Sequence, residues 1–180
     1  MLCGPDIVCR HVVFEALFVR ALGDMLIDDL ARVGFDSRRP QPVYPLLLLD
    51  RCLAIAASSS RFAHLAWEEA YLQLGLAFVD GILQTTLGQI VGVAVLLSGP
   101  ERTVRRLPSL IRSDYGVETR FESLGFRRGQ LVSEPDLPPW ACSFFAGIVR
   151  GALTRTRNST PVVFGRAGSQ PGSFLVEFSW

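Results

Sequence analysis

The sequence predicts an α+β fold, in which a helical N-terminal two-thirds packs on a small antiparallel β-β-α-β-β module at the C-terminus. Apolar residues recur at helical spacing through the first two-thirds, and alternation of apolar and polar residues begins only after "SDYG" at 113–116. One short helical segment then separates two pairs of alternating segments. The 180 residues are expected to form a single domain, 1–180, with the helical part at 1–113 and the module at 114–180.

The helical part is predicted from apolar residues that recur three and four positions apart. Segments with this spacing are "VVFEALFVRAL" at 12–22, "DMLIDDLARVG" at 24–34, the residues from about Leu46 to Ala57, and "AWEEAYLQLGLAFVDGILQ" at 66–84. The intervening "FDSRRPQPVYP" is predicted to be a loop, because its prolines exclude a helix. A further helix is predicted to start at "SGPERTVRRL", where Ser98 can cap, Pro100 suits the first turn and Glu101 completes a capping box.

The C-terminal module is predicted from two alternating pairs of segments around one helix. "VETRFESLGFRRGQLVSE" indicates a hairpin, and "PVVFGRA" and "SFLVEFSW" indicate two more strands joined by the turn "GSQPG". The helix between the pairs is "PPWACSFFAGIVRGALTRT" at 138–156, with proline at its start. Regular alternation places Phe174, Val176, Phe178 and Trp180 on one face of the last strand.

Residues 81–100, "GILQTTLGQIVGVAVLLSGP", contain no charged side chain, and we interpret them as a buried helical layer. A transmembrane span is not expected, because polar residues interrupt the stretch and only 90–97 are purely apolar. Gly81, Gly88 and Gly92 are spaced so that they would share one helix face. That face would serve either tight helix packing or a ligand groove.

The candidate ligand-binding residues are those that would line a space between this helical layer and the sheet. They are Gly81, Thr85, Gly88, Gly92, Phe144 and Phe178. A pocket in that position would be walled by the aromatic residues of the module. Packing of the core alone is the alternative explanation for the same residues.

The arginines of the "GPERTVRRL" helix form a second candidate site. Arg102, Arg105 and Arg106 lie in its first turns, where the positive end of the helix dipole favours an anionic group. An anionic headgroup, a nucleotide or an acidic partner would suit this surface. A merely solvated helix surface is the alternative.

The sequence lacks the motifs of several function classes. All 18 basic residues are arginine, so lysine-based phosphate loops and Schiff-base chemistry are excluded. No nucleophile elbow, catalytic triad, CxxC pair or HExxH motif occurs, and neither a catalytic residue nor a metal site is predicted. A net charge of +1 argues against nucleic acid as a partner, and the N-terminal "MLCGPDIVCRH" lacks the pattern of a signal peptide, so we expect a cytoplasmic protein.

Five segments together resemble a paralogous myxobacterial family of proteins of unknown function. They are "LFVRALGD", "GFDSRRPQPVYPL", "LGLAFVDGILQTTLGQ", "LSGPERTVRRLPSLIRSDYGVETRFESLG" and "FLVEFSW", and the resemblance covers residues 12–180. The family pattern G-x-x-F-x-x-G-x-x-x-T-x-x-G is matched by Gly75, Phe78, Gly81, Thr85 and Gly88. This resemblance implies no settled activity.

The order of elements is also similar to vinyl-reductase-type and TRAPP-type adaptor domains and to haem-nitric-oxide-binding sensor domains. These resemblances imply an apolar ligand between helical layer and sheet, and the TRAPP-like likeness implies a homodimer. The haem sensors need a proximal histidine, whereas this chain has only His11 and His64, outside the helix before the sheet. The sequence also lacks their Y-x-S-x-R motif, so we expect no cofactor and regard haem as doubtful.

The sequence is therefore interpreted as a non-enzymatic regulatory or adaptor domain that binds a small apolar or amphipathic ligand, or a protein partner. An enzyme acting on a hydrophobic thioester or nucleotide is one alternative. A purely structural dimerisation module is the other.

Overall fold

The computed structural model describes residues 7–133, 136–156 and 160–180; within them, the surroundings of side chains 86–87, 91–92 and 94–97 are not described. The helices are α1 (His11–Phe14), continued by a π-helical segment (Glu15–Ala21) and a 3-10 turn (Gly23–Leu26), α2 (Ile27–Arg32), α3 (Leu46–Ala57), α4 (Trp67–Ile82), α5 (Thr86–Tyr115) and α6 (Ala141–Thr154). The strands are β1 (Val8–Arg10), β2 (Val43–Pro45), β3 (Thr119–Gly125), β4 (Arg128–Ser133), β5 (Val162–Ala167) and β6 (Phe174–Ser179). The predicted α+β class is confirmed.

The C-terminal strands form one antiparallel sheet in the order β3-β4-β6-β5. Helix α6 covers its inner face, where β6 buries Phe174, Val176 and Phe178, as the alternation of the sequence predicted. The intermediate residues of β6 point to the opposite, outer face, which no helix among the described residues covers. The sheet therefore has one apolar and one open face.

Helices α4 and α6 cross with their backbones in contact. A Cβ atom on Gly75 would overlap the carbonyl oxygen of Phe144, and one on Gly147 would overlap the carbonyl oxygen of Leu72. Only glycine allows this approach at either position. The crossing joins the helical part to the module, because α4 belongs to the first and α6 to the second.

The uncharged stretch is divided between two helices, which corrects two predictions. Helix α4 ends at Ile82, so Gly81 and Gly88 belong to different helices and do not share one helix face. The stretch is also not a uniformly buried layer, since Ile90 and Val93 are 67% and 59% exposed. Among the described residues, no helix is both long and apolar enough to cross a membrane.

Helix α5 is broken at Gly99, whose φ of 75° and ψ of 171° lie outside the helical region. The helix restarts at Pro100, where the sequence predicted a helix start, and the hydroxyl of Thr103 donates to the carbonyl oxygen of Gly99 at 2.9 Å. It ends at Gly116, whose left-handed φ of 64° caps the last turn. The second half of α5 therefore has a start and an end specified by local residues.

A two-stranded ribbon of β1 and β2, which the sequence did not predict, lies beside the C-terminal end of α5. The Cys9 thiol in β1 donates to the carbonyl oxygen of Tyr115 at 3.9 Å. Arg10 reaches Ser113 at 3.2 Å and Asp114 at 3.8 Å. The end of α5 is thus held by side chains from the start of the chain.

Candidate functional site

Four aromatic side chains meet where the helical part joins the C-terminal module. The ring of Tyr115, in the last turn of α5, lies 5.6 Å from Phe78 of α4, and 6.0 and 5.2 Å from Phe144 and Phe145 of α6. All three contacts are edge-to-face, the arrangement that aromatic pairs favour. We call these four residues the Tyr115 cluster.

The hydroxyl group of Tyr115 is buried and has no hydrogen-bond partner among the described residues. Leaving a buried hydroxyl unsatisfied costs about 1–3 kcal/mol of stability. Burial, and then the nearby Asp114 and Cys9, hold the pKa of Tyr115 well above its usual value. The hydroxyl is therefore protonated near neutral pH and free to donate a hydrogen bond.

Two more buried polar atoms lack a partner: Nδ1 of His11 and Oγ1 of Thr119. His11 begins α1 and Thr119 begins β3, and both elements contact α5. Every such atom that the described residues contain thus belongs to α5 or to an element in contact with it. Buried polar groups without partners are rare in folded proteins and call for an explanation such as a water or a ligand.

The thiols near the core are not activated for chemistry. Burial raises the pKa of Cys52 to about 12 and that of Cys142 to about 11, so both are protonated at neutral pH. Burial also raises the pKa of Asp114, against the opposing effect of Arg10 and Ser113. The two buried thiols are therefore held neutral rather than charged.

The predicted ligand-binding residues are not brought together. Phe144 is in the Tyr115 cluster, whereas Phe178 packs on the inner sheet face, 6.2 Å from Phe121. A Cβ on Gly81 would overlap the carbonyl oxygen of Ala16, so Gly81 serves helix packing.

Thr85 caps the start of α5: its hydroxyl accepts from the amide of Gly88 at 3.0 Å and donates to the carbonyl oxygen of Ile82 at 2.7 Å. A Cβ on Gly88 would overlap that same carbonyl oxygen. The surroundings of Gly92 lie outside the described part of the chain. A ligand role for these residues stays a prediction.

The predicted arginine surface is exposed on α5. Arg105 pairs with Glu101 at 3.0 Å and lies 5.2 Å above the ring of Phe121. Arg102 and Arg106 are exposed and form no ion pair with any described residue. Binding of an anion or partner there stays a prediction.

Sequence reasoning missed Tyr115, because "SDYG" carries only the signal of a helix end. An aromatic residue one position before a capping glycine was the available sign that the last turn packs inward. The unpaired hydroxyl itself has no signature in the sequence.

Solved structures show the same fold. An H-NOX protein from S. oneidensis in the Fe(II)NO ligation state matches with a TM-score of 0.65 and 12% identity, covering 94% of this chain and 98% of that one. An Fe(II) unliganded H-NOX mutant from K. algicida matches with a TM-score of 0.63 and 11% identity, covering 94% and 95%. No curated protein matches the sequence. The chain therefore has the fold of H-NOX domains, one of the layouts that the sequence resembled.

We expected from the sequence that this chain binds no cofactor, and these matches contradict that expectation. They include a structure that concerns haem redox potential and porphyrin distortion. In the described residues, His64 is exposed and His11 lies beside Tyr44 and Glu15. Over 98–115, the buried apolar side chains of α5 are Val104, Leu107, Ile111 and Tyr115, and the sequence of α5 contains no histidine. As packed, these residues do not fit a haem.

The resemblance to a family of unknown function is tested by a family model. That model, described as "Protein of unknown function (DUF2378)", matches residues 8–178, which is nearly the whole chain. The myxobacterial origin and the likeness to TRAPP-type and vinyl-reductase-type domains stay predictions. The chain belongs to the DUF2378 family.

Proposed function

We propose that this chain is a non-enzymatic sensor domain that binds a small, largely apolar ligand at the Tyr115 cluster. The unpaired, buried hydroxyl of Tyr115 is the observation that carries the proposal. It supplies one hydrogen-bond donor on a ring that packs against three phenylalanines, and a few polar groups in a mainly apolar lining are typical of small-molecule sites in proteins. The H-NOX fold supports a sensor role, since matched H-NOX domains are known in the Fe(II)CO and Fe(II)NO ligation states.

The position of the cluster suits signalling. Phe78 comes from the helical part, while Phe144 and Phe145 come from the module, so a ligand among these rings would change how the two parts pack. A ligand that binds one packing arrangement of the two parts more tightly than another shifts the equilibrium towards the first. The size of the shift equals the difference in binding free energy between the two arrangements. Binding would therefore be transmitted without a chemical reaction.

The ligand must displace aromatic side chains, because the rings pack against Tyr115 at 5.2–6.0 Å. A site of this kind becomes populated only when its ligand is present. Trp140 reports on it, since its ring lies 5.6 Å from that of Phe144 and its Nε1 donates to Asp50 at 2.6 Å. Movement of Phe144 is expected to change tryptophan fluorescence.

The test compares acetophenone with ethylbenzene, which have similar shapes but differ in one carbonyl acceptor. The wild-type protein is expected to bind acetophenone about tenfold more tightly, because only acetophenone can accept from Tyr115. Tyr115→Phe is expected to abolish this preference. Tyr44→Phe, which changes another buried tyrosine outside the cluster, is expected to retain it.

Haem is titrated in parallel, because proteins of this fold carry it. One-to-one uptake with a spectrum that Tyr115→Phe changes would identify haem as the ligand class. A preference for acetophenone that persists in Tyr115→Phe, or no binding of either probe or of haem, would refute the proposed site.

The other functional interpretations stay predictions. They are an enzyme acting on a hydrophobic thioester or nucleotide, a dimerisation module or other protein partner, and a cytoplasmic location. None of them draws on the unpaired hydroxyl of Tyr115.

A further inference from the structure

The outer face of the four-stranded sheet carries a row of four side chains that begins and ends with arginine. In the strand register, Arg120 pairs with Val132, Val132 with Leu175, and Leu175 with Arg166. Each strand contributes one residue, so the two arginine Cα atoms are separated by three strand spacings, about 14 Å. Two half-buried apolar side chains form the floor between two cations.

These four residues line an open cleft with a volume of about 460 Å³. Its remaining described lining comes from the end of β4, the end of β5 and the turn that joins β5 to β6: Ser133, Ala167, Gly168, Ser169, Gln170 and Ser173. The volume lies within the range of small-molecule sites. A small ligand therefore suits the cleft better than a folded partner.

Both arginines are exposed and paired with carboxylates of the neighbouring row. Arg120 donates to Glu122 at 2.6 Å and Arg166 donates to Glu177 at 2.5 Å. The side chains of Arg120 and Arg166 are 70% and 66% exposed, and surface ion pairs of this kind are weak. An incoming carboxylate can therefore replace the glutamates at little cost.

We infer that this cleft binds a small amphipathic dianion, with an apolar centre over Val132 and Leu175 and a carboxylate at each end against Arg120 and Arg166. Guanidinium groups recognise carboxylates through paired hydrogen bonds. The inference is independent of the proposed sensor site, because Tyr115 lies with α6 on the inner side of the sheet.

The test is calorimetric titration with straight-chain dicarboxylates from hexanedioate to tetradecanedioate, and with decanoate as the monocarboxylate. Affinity is expected to peak at an intermediate length, since only one span reaches both arginines. The best dicarboxylate is expected to bind about tenfold more tightly than decanoate.

Arg120→Gln and Arg166→Gln are each expected to reduce the best dicarboxylate to the affinity of decanoate. Glu177→Gln is expected to tighten binding, because it frees Arg166. Arg150→Gln is the matched control, an exposed arginine of α6 that does not line the cleft. Equal affinity for mono- and dicarboxylates, an equal loss in Arg150→Gln, or no binding would overturn the inference.

Discussion

The crossing of α4 and α6 and the Tyr115 cluster share one residue, Phe144, but differ in how well they are packed. At the crossing, the carbonyl oxygen of Phe144 lies so close to Gly75 that no side chain fits between the helices. In the cluster, the ring of Phe144 packs edge-to-face against Tyr115, whose hydroxyl has no partner among the described residues. The core is thus closely packed at one point and leaves a polar group unsatisfied nearby. Where a natural core departs from good packing in this way, a functional reason for the departure is expected.

Truncation of the Phe144 side chain is expected to disrupt packing in both regions and to have the largest effect on stability. Phe144 is fully buried, and Phe144→Ala is expected to lower the free energy of unfolding by about 3–5 kcal/mol through a cavity and lost contacts. Phe164→Ala is the matched control, since Phe164 lies on the outer sheet face and is 68% exposed; its effect should stay within about 0.5 kcal/mol. Urea denaturation measures both, and similar losses would show that Phe144 is not central to the core.

Gly75→Ala tests the crossing alone. The added methyl group overlaps backbone, so the helices must separate, and we expect a loss of about 3 kcal/mol in the free energy of unfolding. Gly151→Ala on α6 is the control, because the three atoms nearest to its Cβ would all belong to the Val79 side chain, at 3.0–3.3 Å. A smaller loss is expected there, since this overlap is much smaller than that of Gly75 with the carbonyl oxygen of Phe144. Equal losses in urea denaturation would show that the backbone contact does not limit the crossing.

The parts of the fold that the sequence predicted correctly depend on local signals. The restart of α5 at Pro100 follows from residues within one turn of it, and the inward face of β6 follows from strict alternation over Phe174, Val176 and Phe178. The hairpin of β3 and β4 likewise turns between Gly125 and Arg128, within the alternating segment from which it was predicted. Such signals need no knowledge of distant contacts.

The features that the sequence did not predict depend on distant contacts. The pairing of Cys9 in β1 with Tyr44 in β2 joins segments too short to show a pattern. The row from Arg120 to Arg166 exists only once the register of four strands is known. The helix predicted over 66–84 ends at Ile82, but the spacing of Gly81 and Gly88 did not reveal that they belong to different helices. Phe144 was named as a candidate from the sequence, whereas its neighbour Tyr115 was not.

Removal of the unpaired hydroxyl should have the smallest effect, and one of opposite sign. Tyr115→Phe is expected to raise the free energy of unfolding by about 1 kcal/mol, because the variant no longer buries an unsatisfied group. Tyr44→Phe is the control: the Tyr44 hydroxyl accepts from the amide of Gln41 at 2.8 Å, so its loss should destabilise the protein. The two substitutions are expected to change the free energy of unfolding in opposite directions. A loss of stability in both variants would show that the Tyr115 hydroxyl is satisfied in solution.

The same pair of variants can be separated by pH. In the unfolded chain Tyr115 ionises near its ordinary pKa of about 10, whereas burial holds its pKa in the folded protein well above that value. The folded state of the wild type therefore loses stability as the pH rises above about 10, because only the unfolded chain releases this proton. Tyr115→Phe does not undergo that loss of stability. The difference in the free energy of unfolding between the variant and the wild type should therefore grow between pH 8 and pH 10.5, as Tyr115 of the unfolded wild-type chain ionises. Cys52 and Cys142 contribute their own alkaline losses equally to both proteins, which leaves the difference to Tyr115. An advantage that is independent of pH would mean that the hydroxyl ionises as readily in the folded protein as in the unfolded chain, and the cluster would then be open to water.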